Sequence, residues 1–265
     1  MVVKAIVFGG NGTIGRLITR YMLERSWHVT SVVRDSRQSA QILKLGDGLE
    51  NLPDVVVCDL LSLSEIKAAE IFERVKPDCV VFTASDPANY EAIDCNAAKM
   101  LIKVSAGHTS VRKFLVISFP ASRRNRAPWW NNKEWADHLR EKRMFPVAAE
   151  MKVQTDEYLL SVANAKQAKG QHFQGISLRP TWFVSQPPTG KITLGHTTAM
   201  GQIAPGDIAS TAISLLSRDK TNGWFDITNG SQDIEEAVEE AVRKNLDASQ
   251  GEELDRIYGL ALDDI

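Results

Sequence analysis

Three groups of residues in this chain have types and spacings suited to chemistry. The first is Gly9-Gly10-Asn11-Gly12-Thr13-Ile14-Gly15, which follows an apolar run ending at Phe8 and opens a helix-periodic stretch. Gly10 and Gly12 lack a Cβ, so the chain can turn tightly and a pyrophosphate can lie against bare amides, while Gly15 lets the helix approach the strand. The free N–H groups and positive dipole end of that helix then face the phosphates. Arg34 ends the next strand, where an acidic residue would accept ribose hydroxyls and an arginine accommodates the 2′-phosphate of NADP. Arg34, with Arg37 as a second contact, points to NADP(H); a solvated strand end beside Asp35 is the alternative. The second group is Lys152 and Asp156, one turn apart on one helix face. The third is Arg123 and Arg124, then Trp129 and Trp130, with Trp182-Phe183 further on. The arginines suit the mouth of a site, meeting an anionic or carbonyl group, and the rings suit walls around a large, flat, apolar ligand. Anchoring the surrounding loop to the core is the alternative for these rings, and for nearby Trp135 it is the preferred one.

The elements that must position these groups follow from periodicity. Short apolar runs at residues 2–8, 28–33, 55–58, 79–82, 113–118 and 173–179 alternate with helical patterns at 14–24, 64–74, 91–107 and 148–165. Such alternation is the mark of parallel strands covered on both faces, so the expected fold class is α/β with a doubly wound parallel sheet. Ligands in such sheets bind beyond the C-terminal strand ends, which places Asp59, Ser85 and the residues after Ser118 along one crevice. Asp59 suits either the adenine amino group or a plain loop cap. Residues 119–147 break the rhythm: three arginines, Pro128-Trp129-Trp130 and a charged helix from Asn131 or Asn132 form an insertion expected to act as a lid or binding loop. Further helices are expected at 207–217 and 233–244, a strand at 224–228, and an acidic tail of marginal structure to Ile265. The expected organisation is one domain over 1–265, with the insertion 119–147 and a small C-terminal lobe from about 181 to 265.

With 265 residues, a net charge of -2 and no apolar run able to span a bilayer, the composition fits a soluble globular chain and points away from nucleic-acid and membrane partners. The first residues run straight into a strand, so no signal peptide is expected. Cys58, Cys79 and Cys95 are odd in number and lack metal-ligand spacing, which fits packed thiols in a reducing cytoplasm and no metal. The expected partner is a small molecule, and oligomerisation is left open.

Gly9 to Gly15, Cys58-Asp59-Leu60, the strand at 114–118 and Leu178-Arg179-Pro180 together resemble an extended or atypical short-chain dehydrogenase/reductase of the NAD(P)-binding Rossmann type over nearly the whole chain. Ala121-Ser122-Arg123-Arg124 and Gly223-Trp224-Phe225-Asp226 resemble a fungal branch of it. The resemblance implies a cofactor site that includes Pro180, and a Tyr-x-x-x-Lys pair with a serine. The phenol of that pair protonates the developing alkoxide; the lysine lowers its pKa and holds the nicotinamide ribose. This chain departs from the pattern. None of Tyr21, Tyr90, Tyr158 and Tyr258 has lysine four residues on, and Lys152 takes the lysine place, which puts Ala148 at the tyrosine position. Phe119 and Pro120 follow Ser118 where the serine is expected, with Ser122 the nearest substitute.

Two expectations compete. One is an NADP(H)-binding sensor without catalysis, as in the similar nitrogen-metabolite regulators. The other is hydride transfer to a group that needs no proton, such as an iminium cation steadied by a carboxylate and a π-rich pocket. The missing pair and the aromatic insertion are similar to the reductase/Diels-Alderases of malbrancheamide- and paraherquamide-type fungal indole alkaloids. That similarity implies NADPH-dependent reduction of an iminium and an intramolecular cycloaddition. A general NADPH-dependent carbonyl reductase or epimerase is the remaining alternative. The resemblance also implies that Asp156 pairs with Arg179 as a buried structural ion pair, a catalytic carboxylate being its other reading.

Overall fold

The computed structural model describes residues 2–261. Its strands, in chain order, are β1 (Lys4–Phe8), β2 (His28–Val33), β3 (Asp54–Val57), β4 (Cys79–Phe82), β5 (Lys113–Ile117), β6 (Gln174–Pro180), β7 (Trp182–Phe183), β8 (Lys191–Gly195), β9 (Gln202–Ile203), β10 (Gly223–Asn229) and β11 (Gln232–Asp233). The helices are α1 (Thr13–Glu24), α2 (Ser39–Leu43), α3 (Glu65–Val75), α4 (Ala98–Gly107), α5 (Asn132–Met144), α6 (Pro146–Ala168), α7 (Pro205–Leu216), α8 (Ile234–Lys244) and α9 (Leu254–Tyr258).

One sheet runs in the order β3-β2-β1-β4-β5-β6-β10-β8-β11, while β7 and β9 pair separately. The ladder from β3 to β10 is parallel, and β8 is antiparallel to both of its neighbours. The apolar run of β1 shows why this sheet carries helices on both faces. Alternate residues point to opposite sides, so Ala5 and Val7 join Ile18 of α1, Ile208 of α7 and Val238 of α8, whereas Ile6 and Phe8 join Phe72 of α3, Leu101 of α4 and Leu159 of α6. The α/β doubly wound class is therefore the observed one. Strand order reverses at β1, which lies between β2 and β4, and the crevice beyond their C-terminal ends is where such sheets hold ligands.

The structure differs in detail from the sequence expectation. Strands β7, β8, β9 and β11 and helices α2 and α9 were not foreseen, residues 91–97 wind as a wider π turn before α4, and α6 is longer at both ends than the pattern suggested. The tail is not marginal. Ala248 and Ile257 are fully buried with Val153, Leu160 and Trp224, and Ala261 joins the main core. Ala248, Ile257 and Ala261 are the apolar residues of that stretch that are fully inserted, while Leu260 is 44 % exposed. Residues 262–265 of the expected tail lie outside the described residues. Among the described residues no helix is long and apolar enough to cross a membrane. Cys58, Cys79 and Cys95 are free thiols.

Candidate functional site

The glycine turn works differently at each position. Gly9 has φ +81°, and a Cβ there would stand 2.5 Å from the Ala84 amide nitrogen, so this glycine makes the turn. At Gly15 a Cβ would lie 2.4 Å from the Gly9 carbonyl oxygen, in line with a close approach of helix to strand. Gly10 calls for a correction: a Cβ would meet Ser31 Oγ at 1.9 Å, so its bare backbone makes room for β2 and not for a ligand. Gly12 precedes α1, whose first turn has no side-chain cap and no acidic residue, leaving its N–H groups for an anion.

Gly9, Asn11, Gly12, Arg34, Asp59 and Ser85 line a cavity of about 350 Å³. Asn11 Oδ1 is buried there without a protein partner. A phosphate-accepting helix start, an orphaned polar atom and a cationic side chain along one crevice fit a dinucleotide. Gly10, Thr13 and Gly15 shape the turn without lining the cavity, and Ile14 faces the adjoining chamber. Arg34 is 63 % exposed and 4.0 Å from the Asp86 carboxylate. Arg37, expected as a second phosphate contact, does not line the cavity. Its Nε donates to both oxygens of Asp35 at 3.0 and 2.9 Å, and that pairing holds the Asp35 carboxyl down at about 2. Asp59 spends Oδ1 on the Leu61 N–H at 3.1 Å.

Past Thr83 and Ser85 the crevice continues into a chamber of about 360 Å³. Ser118, Phe119, Phe145, Ala148, Lys152, Pro180, Trp182 and Phe183 line it. Lys152 Nζ sits 2.8 Å from the Asp94 carboxylate and 3.5 Å from the Ile117 carbonyl, which leaves at least one of its three donors for a ligand. The lining residues missed in the sequence include Phe145 and two with titratable side chains, Tyr90 and Glu141. Glu141 is buried, and desolvation pushes its carboxyl up to about 7 against a hydrogen bond from Trp182 that favours the ionised form. Burial, with Asp94 and Asp86 nearby, raises the Tyr90 phenol. The legible signal for Glu141 was its place in the stripe Trp135, His138, Glu141, Phe145, an inward face on an otherwise charged helix.

Other expected site residues are elsewhere. Asp156 is fully buried: Arg179 Nη1 donates to its Oδ2 at 2.9 Å, as do Ser118 Oγ at 2.7 Å and Ser122 Oγ at 2.8 Å. Arg179 Nε also pairs with Asp226 at 2.6 Å. Asp156 and Ser122 thus fix the loop after β5 and do not reach the chamber. Arg123 is not at a mouth; it is fully buried, paired with Glu252 at 3.3 Å and bonded to the Ala248 and Gln250 carbonyls. Arg124 is held by Glu157 at 2.7 Å and Glu150 at 3.2 Å. Trp129 and Trp130 are not substrate walls: both indole N–H groups donate to the Thr197 carbonyl, and their rings flank the Arg123 guanidinium at 5.6 and 5.1 Å. A buried arginine needs this much compensation, and it consumes the rings that sequence reasoning assigned to substrate.

The profile of the NAD(P)H-binding family matches residues 9–219, from the glycine turn to the end of α7. The chain belongs to that family. It is 26% identical to the uncharacterised sugar epimerase YhfK of Bacillus subtilis over 243 residues, covering 89% of this chain and 98% of the relative. Among solved structures it is similar to a Bacillus halodurans protein provisionally named an NAD-dependent epimerase/dehydratase, with TM-score 0.70, 20% identity, and 90% and 99% of the two chains covered. It is also similar to yeast methylglyoxal/isovaleraldehyde reductase Gre2 in complex with NADPH, with TM-score 0.60, 15% identity, and 83% and 75% covered. At these identities the structural likeness establishes the fold.

Proposed function

We propose that this NAD(P)H-binding chain is an NADPH-dependent reductase acting on an iminium or similarly activated C=N group of a bulky, apolar substrate. The observation that carries the reading is the inventory of acids in the chamber. Ala148 supplies no phenol at the place of the family's tyrosine, the Tyr90 phenol that does line the chamber is raised by burial and by Asp94 and so releases its proton less readily, Lys152 is engaged by Asp94, and the one carboxyl among the described lining residues is Glu141. The carboxylate that the sequence sought in Asp156 is thereby moved to α5.

Bound cofactor supplies hydride. The start of α1 would hold its phosphates, Arg34 would meet the 2′-phosphate, and Lys152 would donate to the ribose. Ionised Glu141, in surroundings of low dielectric, steadies a cation beside the rings of Phe145, Trp182 and Phe183. Reducing an iminium removes that charge and leaves a neutral amine, so no proton donor is needed. Turnover of a cyclic iminium should therefore rise with pH through about 7 as Glu141 ionises. A second reading, reduction of a carbonyl with protonated Glu141 as the acid, is favoured by that raised pKa and would give the opposite slope. NADPH oxidation with paired cyclic iminium and ketone panels across pH distinguishes the two; no turnover with any of them would favour a cofactor-binding sensor.

The finer proposal is an alkaloid substrate of the fungal indole type whose reduced product cyclises within the chamber. Chiral analysis of the product tests it, since a chamber that folds the substrate yields one enantiomer and a racemic adduct would remove the cyclase role.

Arg34 also predicts cofactor preference. A charge-assisted bond to a 2′-phosphate contributes roughly 1.5–3 kcal/mol, so NADPH should bind about ten- to hundredfold more tightly than NADH. Arg34→Ala should erase most of that difference in calorimetry. The NADPH bound by the similar yeast reductase supports the choice. Equal affinities in the unmodified protein would reject it.

A further inference from the structure

Beside the chamber lies a groove of about 640 Å³ between the junction of α5 with α6 and residues 87–96. It shares Tyr90, Phe145 and Ala148 with the chamber, so the two meet at those side chains. Phe145 leans on Trp182 with ring centroids 5.4 Å apart, and on its groove side Met144 and Val147 are 56 % and 54 % exposed. The smallest side chain at the junction is Ala148, a methyl group that lines both the chamber and the groove. Along the groove Glu91 is the only charged lining residue, and its carboxylate makes no ion pair among the described residues.

We propose that this groove is a second subsite of the same active site, and that it holds the far end of an elongated substrate: an apolar spacer against Met144, Phe145 and Val147 that ends in an ammonium or other cationic donor beside Glu91. The inference rests on the reductase reading for the reacting end, which occupies the chamber near Glu141. The chain at Ala148 thus trades the space of a side chain for length of substrate. A compact substrate fills the chamber alone; an elongated one gains the apolar contact and a counter-charge.

Two probes with the same head test this: N-methyl-dihydroisoquinolinium and its N-aminohexyl counterpart. Their affinities are measured by calorimetry on protein saturated with NADP⁺, where no turnover occurs, and NADPH oxidation is followed separately. The aminohexyl probe should bind at least about tenfold more tightly, the gain from burying roughly 60 Å² of apolar surface. Ala148→Phe, which fills the junction, should bring the ratio of the two affinities close to one, and Glu91→Lys, an exposed change that reverses the charge beside the ammonium, should lower it. A ratio near one in the unmodified protein, a ratio that both variants leave untouched, or no binding of the aminohexyl probe overturns the proposal. If the ratio behaves as expected but neither probe oxidises NADPH, the groove stands and the reductase reading falls. If both probes are reduced with equal affinity, the reverse holds.

Discussion

Glu141→Gln should lower iminium turnover at least about a hundredfold, the usual loss when one preorganised charged or hydrogen-bonding group is removed from a reacting centre, while making the fold more stable above pH 7. The two effects have one origin. In the unfolded chain this carboxyl ionises near 4.5, but burial in the folded chamber holds its proton until about 7. Between those values the folded state binds more protons, so stability is unaffected below the lower value and falls as pH rises through the upper one. A shift of that size corresponds to about 3 kcal/mol at pH 8, at 1.36 kcal/mol per pKa unit. Glutamine keeps the shape and removes the charge. Urea titrations should show the variant more stable at pH 8 and no different near pH 4. Unchanged turnover together with unchanged stability would show that Glu141 carries neither the charge nor the strain assigned to it.

Asp156→Ala should cost about 3–5 kcal/mol, the range for breaking a buried ion pair from one side. Arg179 would keep Asp226 but lose its second counter-charge, and Ser118 and Ser122 would lose their acceptor. For a domain whose whole margin is about 5–15 kcal/mol, such a loss takes a large share of the stability and lowers the folded population on heating with no catalytic role involved. Denaturant unfolding checks the size. The informative companion is Asp156→Leu with Arg179→Met, which removes both charges; recovering much of the lost stability would identify the pair as structural. Turnover of that double variant, measured where it is folded, then reports on geometry alone. A single Asp156→Ala protein of native stability and no activity would instead restore the catalytic reading.

The parts of this molecule that were legible in the sequence are those set by local pattern. The run before Gly9, the glycine turn and the alternation of short apolar strands with helices specify a doubly wound sheet, because period and turn chemistry act over a few residues. Arg123 was misread for the complementary reason. A run of three arginines in four positions looks solvated, and the charges that allow its burial come from Glu252 and from carbonyls at Ala248 and Gln250, far along the chain. Trp129 and Trp130 were misassigned with it, since aromatic rings beside a loop suit either a ligand or a buried guanidinium, and only the fold decides. Glu141 was hidden among the charges of α5, where composition masks a single inward carboxyl. The tail failed on composition too: Ala248 and Ile257 are sparse among acidic neighbours but both are fully enclosed.

Arg123 also sets an order of birth. It is bonded to the Ala248 carbonyl, 125 residues downstream, and its own carbonyl accepts from Lys142 Nζ at 2.8 Å, one residue along α5 from Glu141. A growing chain can pair β1 to β6 and shape the glycine turn long before residues 248–252 leave the ribosome. Until they arrive, Arg123 lacks its Glu252 counter-charge and two of its carbonyl acceptors, and the anchor that it offers α5 is not fully fixed. A nascent chain halted after β6 should therefore capture nucleotide while still unable to grip a substrate.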